Sequence, residues 1–233
     1  MDKFTIVIPV YNEAKNLKIL IPKIYNQLKK KKFELLIVDD NSKDDTKKIL
    51  NEFKTKNVHH IIRKTDRDLS KSCILGFQKA KYENIIVMDG DLQHKPSDIK
   101  KILKVFLKKK PDFVVGTREL FKKKNHNLNF LRLFASRFLI LIVNFLLGKK
   151  TSDPMSGFFM FRRKLFISSK KRLIKRGYKI LLDLLYIKNR KITVLDVKIN
   201  FDSRMKGRSK MSFRILFNLI LMIVQKFFKE VLF

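Results

Sequence analysis

Ile85-Ile86-Val87-Met88-Asp89-Gly90-Asp91-Leu92-Gln93-His94 joins a short apolar run, rich in β-branched residues, to an Asp-Gly-Asp turn. How that junction is read decides the fold. The apolar run has the length and residue types of a buried strand. Side chains alternate along a strand, so Asp89 and Asp91 are expected to aim both carboxylates at one point beyond its C-terminal end. Open α/β sheets bind ligands at that end of their strands. Two hard oxygen donors, with no Cys or clustered His nearby, suit Mg²⁺ or Mn²⁺, and such an ion can hold a diphosphate. The stretch by itself is also compatible with a strand that simply runs into a polar turn.

Working outward, other apolar runs end in the same manner. Phe4–Val10 is expected to be a strand that runs into Tyr11-Asn12-Glu13, and Phe33–Val38 one that runs into Asp39-Asp40-Asn41-Ser42. Val58–Ile62 and Phe113–Gly116 complete a set with Ile85–Asp89. Between them, Leu17, Leu20, Ile21, Ile24 and Leu28 carry helical spacing through Ala14–Lys29. A second helix is expected over Asp44–Lys54 with Asn41-Ser42 as its cap, a third over Ser70–Ala80 capped by Ser70, and a fourth from Pro96 to Leu107. Strands that alternate with helices imply a mostly parallel sheet covered on both faces, with right-handed crossovers. The strand ends then converge on one edge. Glu13, Asp39, Asp40, Asp89 and Asp91 gather there, in a chain with only 21 acidic residues. Crowded carboxylates repel unless a cation or ligand donors compensate, so the cluster itself argues for a metal and a polar ligand.

From Leu128 the texture changes. Within residues 128–148, Phe130–Leu147 is strongly apolar, and Phe213–Phe233 is similar, interrupted by Arg214, Lys226, Lys229 and Glu230. The longest uncharged runs, Phe138–Gly148 and Ile215–Gln225, have 11 residues each. That is short of the roughly 20 needed for a clean membrane span. Both segments fit helices lying in a membrane interface, with Lys and Arg snorkelling to the headgroups. Both also fit core helices packed on the sheet. For the C-terminal segment the membrane surface is expected, because little core is left to cover it. These boundaries divide the chain into a domain over residues 1–210 and an apolar appendage over 211–233.

The balance of 54 Lys and Arg against 21 Asp and Glu gives a net charge of +33. Such a field favours polyanions, and an acidic membrane surface attracts it by about 1 kcal/mol per basic residue close by. Clusters at Lys29 to Lys32, Lys108 to Lys110 and Lys122 to Lys124 fall where loops or helix ends are expected. Nucleic acid is not an expected partner. There is no zinc finger, basic zipper or RNP-type aromatic motif, and the acidic strand ends would repel a phosphate backbone. The single Cys73 excludes an internal disulfide and fits a reducing compartment. No secretory signal is read at the start. The four histidines show no ligand spacing; His94 lies near the Asp-Gly-Asp motif and could approach it, but is expected to be a turn residue.

The resemblance that emerges is to the family 2 inverting glycosyltransferases of GT-A fold, and within them to the dolichol-phosphate (polyprenol-phosphate) mannose synthases. It is carried by Ile8-Pro9-Val10-Tyr11-Asn12-Glu13, Ile37-Val38-Asp39-Asp40-Asn41-Ser42 and Met88-Asp89-Gly90-Asp91-Leu92-Gln93-His94. Gly116-Thr117-Arg118, Asp153-Pro154-Met155-Ser156-Gly157-Phe158-Phe159, Gly177-Tyr178-Lys179-Ile180-Leu181-Leu182 and Arg204-Met205-Lys206-Gly207-Arg208-Ser209-Lys210 follow in order. The resemblance implies a membrane-surface transferase that moves a hexose, most simply mannose from GDP-mannose, onto a polyprenyl phosphate at the cytoplasmic leaflet. UDP-linked sugars or another lipid or polysaccharide acceptor are the alternative.

Residue roles follow from that resemblance. Pro9, Tyr11, Glu13, Val38 and Asp39 would bind the nucleoside, with Tyr11 stacking on the base. Asp89, Asp91 and Gln93 would hold Mg²⁺ or Mn²⁺ against the diphosphate, Asp91 being catalytic through that ion. The acceptor in this group is a lipid phosphate. Arg118 follows a strand end, and Arg132 and Ser136, four apart, share one helix face, so the three would form a phosphate clamp. Arg204, Lys206, Ser209 and Lys210 would fold over the donor diphosphate, and Asp153 and Ser156 would line the acceptor side. One departure is Asp68-Leu69-Ser70, where the family often carries Gly-Leu-Ser. Asp tolerates left-handed backbone at some cost, so the turn is expected to survive.

Overall fold

The computed structural model describes residues 3–118, 130–175, 177–187, 191–202 and 213–229. In chain order the elements are β1 (Phe4–Val10), α1 (Ala14–Leu28), β2 (Phe33–Asp39), α2 (Thr46–Glu52), β3 (Val58–Ile62), α3 (Leu69–Lys79), β4 (Asn84–Val87) and α4 (Asp98–Lys109). Then come β5 (Phe113–Thr117), α5 (Phe130–Leu147), β6 (Phe159–Arg162), α6 (Arg163–Ser169), α7 (Ile180–Leu185), β7 (Val194–Lys198) and α8 (Phe213–Phe227). Seven strands form one sheet in the order β3-β2-β1-β4-β6-β5-β7. Every neighbouring pair is parallel except those of β6, which is antiparallel to both β4 and β5. This is the GT-A α/β architecture expected from the sequence.

Both sheet faces are covered, which is why β1 and β2 are buried at every position and show no polar alternation. One face, carrying Ile6, Ile8, Leu35, Ile37 and Ile86, packs on Leu17, Leu20 and Ile24 of α1 and on Ile99 and Ile102 of α4. The other, carrying Val7, Val38, Val87, Val115 and Phe161, packs on α3, α5, α6, α7 and α8. Each such side chain contributes about 1.5–3 kcal/mol on leaving water. In α1, Pro22 sits within a helix whose buried stripe falls at the spacing read from the sequence.

Four expectations need correction. β4 ends at Val87, so Asp89 lies beyond the strand. Helix α2 begins at Thr46 and not at Asp44, because the Asp44 side chain accepts from the Thr46 backbone N–H at 3.0 Å. α3 is capped by Asp68 and not by Ser70, and Asp68 is extended (φ −161) rather than left-handed, so its place in the turn carries no conformational strain. α8 is not an uncovered appendage, since Leu219, Met222 and Ile223 are buried in the core. Its Lys226 does not snorkel: it is fully buried with Nζ 2.8 Å from Oδ1 of Asp183 on α7. Among the described residues, no helix is long and apolar enough to cross a membrane.

Candidate active site

β1, β2 and β4 run parallel, so their C-terminal ends open on one rim. A cavity of about 230 Å³ lies there, and Pro9, Tyr11, Glu13, Asp89, Asp91, Gln93 and Arg118 all line it. The two aspartates both line the cavity, and neither lies on the strand. After Val87 the chain turns, Leu92 takes a left-handed conformation (φ 64), and the Gln93 N–H donates to Asp91 Oδ1 at 3.2 Å. The Asp89 carboxylate lies directly on Gly157, where any Cβ would overlap it. Gln93 is tied to the 201–202 segment: its Nε2 donates to the Asp202 carbonyl at 3.1 Å, and the Asp202 N–H donates to the Gln93 carbonyl at 3.0 Å.

His94 is no surface turn residue. Its side chain is 1% exposed, between the rings of Phe158 and Phe201 at 5.2 and 5.0 Å, with Nε2 3.5 Å from Asp89 Oδ2. Burial pushes the Asp89 carboxyl up, but His94, helped by the charges of Lys179 and Arg118, outweighs it and holds the group below the usual carboxylate range. Asp89 thus stays charged at the rim. All-oxygen donors from Asp89, Asp91 and Gln93 fit a hard divalent cation. Two carboxylates and an amide leave coordination positions for phosphate oxygens and water, the habit of Mg²⁺.

The nucleoside side is built by two interlocked loops. Asn12 and Asn41 both take left-handed backbone (φ 55 and 61), which Asn tolerates better than most residues. The Asn12 N–H donates to Ser42 Oγ at 2.8 Å, and the Lys43 N–H donates to Asn12 Oδ1 at 2.7 Å. Glu13 donates its N–H to Thr46 Oγ1 at 3.1 Å. Asp39 is turned into this loop, accepting from the Ser42 N–H at 3.2 Å and from its hydroxyl. Burial raises the Asp39 carboxyl despite those bonds. Among the described residues, neither Asp39 nor Val38 lines the cavity, and Val38 packs in the core below the Gly76 backbone. The acid that faces the cavity from this strand end is Asp40.

On the other side, Arg118 is less available than a free clamp. Its Nε and Nη2 make a bidentate pair with Asp153 at 2.7 and 2.9 Å. Burial lowers the guanidinium pKa, and the Asp153 charge more than reverses that. Asp153 is therefore the residue that aims Arg118. Ser156 holds the loop, its hydroxyl donating to the Gly116 carbonyl at 2.7 Å. Ser136 is half-buried on α5 and is not among the lining residues, the helix contributing Leu139 instead. The Arg132 side chain, Arg204, Lys206, Ser209 and Lys210 lie outside the described residues. The lining also has apolar members, among them Met155, Ile180, Leu139 and Leu219.

Sequence reading missed two parts. Arg67 lines the cavity with its guanidinium 4.1 Å from the centre of the Tyr11 ring. Lys179 also lines it, its Nζ donating to the Met155 carbonyl at 2.7 Å. The Gly177-Tyr178-Lys179 motif was the available signal for the second. For Arg67 there was none, because a lone Arg in a charged loop is unremarkable by pattern.

Comparison with known proteins agrees with this geometry. Residues 5–169 match the sequence model of Glycosyl transferase family 2. The dolichol-phosphate mannosyltransferase of Pyrococcus furiosus is 34% identical over 92% of the chain, which spans 61% of that relative's length. That of Saccharomyces cerevisiae is 29% identical over 92% of the chain and 83% of its own length. Among solved structures, the glucosyl-3-phosphoglycerate synthase of Mycobacterium tuberculosis in complex with Mn²⁺, uridine diphosphate and glucosyl-3-phosphoglycerate superimposes with a TM-score of 0.72. It is 15% identical, with 97% of this chain and 78% of that one covered.

Proposed function

Because the chain belongs to glycosyl transferase family 2, we propose that it transfers a hexose, most simply mannose from GDP-mannose, onto a polyprenyl or dolichyl phosphate at the cytoplasmic face of a membrane. One observation carries this reading. A single cavity joins an acidic strand-end rim to an apolar wall made by α5, α7 and α8. A nucleotide sugar with its cation needs the first, and a lipid phosphate needs the second together with Arg118. The names of the relatives from P. furiosus and S. cerevisiae point the same way.

Tyr11 and Glu13 would hold the nucleoside, and Asp89, Asp91 and Gln93 would hold Mg²⁺ or Mn²⁺. When bound, that ion supplies Lewis-acid stabilisation of the departing nucleoside diphosphate. Arg118, fixed by Asp153, keeps N–H groups beyond the pair for the acceptor phosphate, and Arg132 and Ser136 of α5 would complete the clamp. A phosphate monoester has its second pKa near 6, so at neutral pH it is already a competent nucleophile and needs no dedicated base. Its oxygen forms a bond to C1 as the C1–O bond to the diphosphate breaks, the nucleoside diphosphate leaves with the electron pair, and the anomeric centre inverts. Positioning and charge neutralisation supply the rate.

The membrane contact would be the face of α5 that carries Phe134, Phe138, Leu141 and Phe145, together with Phe217 and Leu221 of α8. All are exposed, Phe145 to 88%. The α5 set recurs at three- and four-residue spacing and forms one stripe. The net charge of +33 would draw it to acidic headgroups.

The test is incubation of purified protein with Mg²⁺ or Mn²⁺, a panel of GDP- and UDP-sugars and a short polyprenyl phosphate, with product mass as the readout. Hexosyl polyprenyl phosphate from GDP-mannose is expected. Transfer from a UDP-sugar would reassign the donor, and no transfer to any polyprenyl phosphate would overturn the reading.

A further inference from the structure

Arg63 is a buried arginine whose donors are spent on one short loop. It pairs with Asp40, and its Nη2 donates to Thr65 Oγ1 at 2.8 Å and to the Asp66 carbonyl at 3.1 Å. Its Nη1 donates to the Asp68 carbonyl at 3.2 Å and to Ser72 Oγ at 3.1 Å. The two carbonyls it fixes flank Arg67. Asp68 is held further: its N–H donates to Asp40 Oδ2 at 2.8 Å, and its own carboxylate accepts from the Gly177 N–H at 2.8 Å. The Arg67 backbone is thus clamped on both sides while its side chain is exposed at the cavity mouth. No carboxylate among the described residues pairs with it. The guanidinium rests on the Tyr11 ring, a contact worth about 0.5–1 kcal/mol at an exposed site.

Resting on the donor reading above, we propose that Arg67 is a donor-binding residue that yields the Tyr11 ring to the nucleobase and turns to the diphosphate. Three observations support this. The ring that would stack on the base is covered by a weakly held cation. That cation is mounted on a rigid, buried support, which a merely solvated surface arginine does not need. Around it Asp40, Glu13, Asp89 and Asp91 all face the cavity, so a diphosphate entering here meets an acidic lining. A planar cation at its mouth offers the diphosphate charge-assisted, bidentate bonds.

The test is calorimetric binding of GDP, UDP, guanosine and uridine, with and without Mg²⁺, to the whole protein and to Arg67→Ala and Arg67→Lys. Arg67 is exposed, so both variants should fold, and unchanged melting confirms it. Arg67→Ala should weaken the preferred nucleoside diphosphate about tenfold. The matching nucleoside, which lacks phosphates and no longer displaces a cation from Tyr11, should bind as well or better. Arg67→Lys, which keeps charge but loses the planar fork, should fall between. Parallel losses for nucleotide and nucleoside, or no loss for either, would overturn the proposal while leaving the donor reading intact. Wild-type protein that binds neither GDP nor UDP would overturn both.

Discussion

The rim and the helical wall of the cavity each contain a buried carboxylate paired with a cation, and the two pairs are made in opposite ways. At the rim, Asp40 meets Arg63, which directly follows β3, and the planar guanidinium fans its remaining donors into the adjacent loop and the start of α3. Burial still leaves the Asp40 carboxyl raised above its usual value, the Arg63 charge offsetting only part of the cost. In the wall, Asp183 on α7 accepts the backbone N–H groups of Ile174 and Lys175 at 3.1 and 3.0 Å and waits for Lys226 of α8. Lys is a point charge on a flexible stem and lacks the planar fork that lets Arg63 reach several acceptors at fixed angles. In the rim pair the guanidinium therefore organises the loop around it, whereas the wall pair ties α7 to α8.

The sharpest way to break the comparison is Lys226→Ala. It leaves a buried charge without its partner and should cost about 3–5 kcal/mol, lowering the melting temperature by roughly 10 °C. Lys226→Met with Asp183→Asn should recover part of the loss. A melting temperature within a degree of wild type would show that the wall does not depend on the pair. Asp91→Asn should do the reverse, reducing metal-dependent turnover about 10²–10³-fold with unchanged melting. Gly157→Ala pushes a methyl into the Asp89 carboxylate and should cost about 10²-fold in kcat/KM. Rates equal to wild type would mean that this carboxylate need not sit where it does. The smallest effect belongs to the outer face of the wall. Phe138→Ser with Phe145→Ser should weaken sedimentation with acidic vesicles about tenfold without altering transfer to a detergent-solubilised acceptor. Equal recovery on vesicles would mean that this stripe does not touch lipid.

The same contrast explains what could be read from sequence. β1 to β4 and their helices show plain alternation of apolar strand and amphipathic helix, so the parallel half and its acidic edge were legible. So were Pro9, Tyr11, Glu13, Asp89, Asp91 and Gln93 as neighbours. β6 was not, because Phe159–Arg162 is short, buried and next to another apolar run, with no period to distinguish it. Whether a strand-end acid faces outward or binds its own loop is not legible in the sequence, and the bond from the Ser42 N–H to the Asp39 carboxylate appears only in the structure. His94 and Lys226 were misread for one reason. Polarity in a sequence suggests solvent, and only the fold shows that Asp89 and Asp183 are waiting for them inside.

The buried ion pair between α7 and α8 also bears on the order in which the protein matures. Every strand of the sheet lies upstream of α8, so the sheet can close while the wall is still open and Asp183 still lacks its counter-charge. In that interval the apolar residues of α8 have two competing destinations, the half-built domain and any nearby bilayer. Asp183 offers Lys226 a fixed, buried counter-charge, and so a single pair can bias a greasy helix toward its own fold.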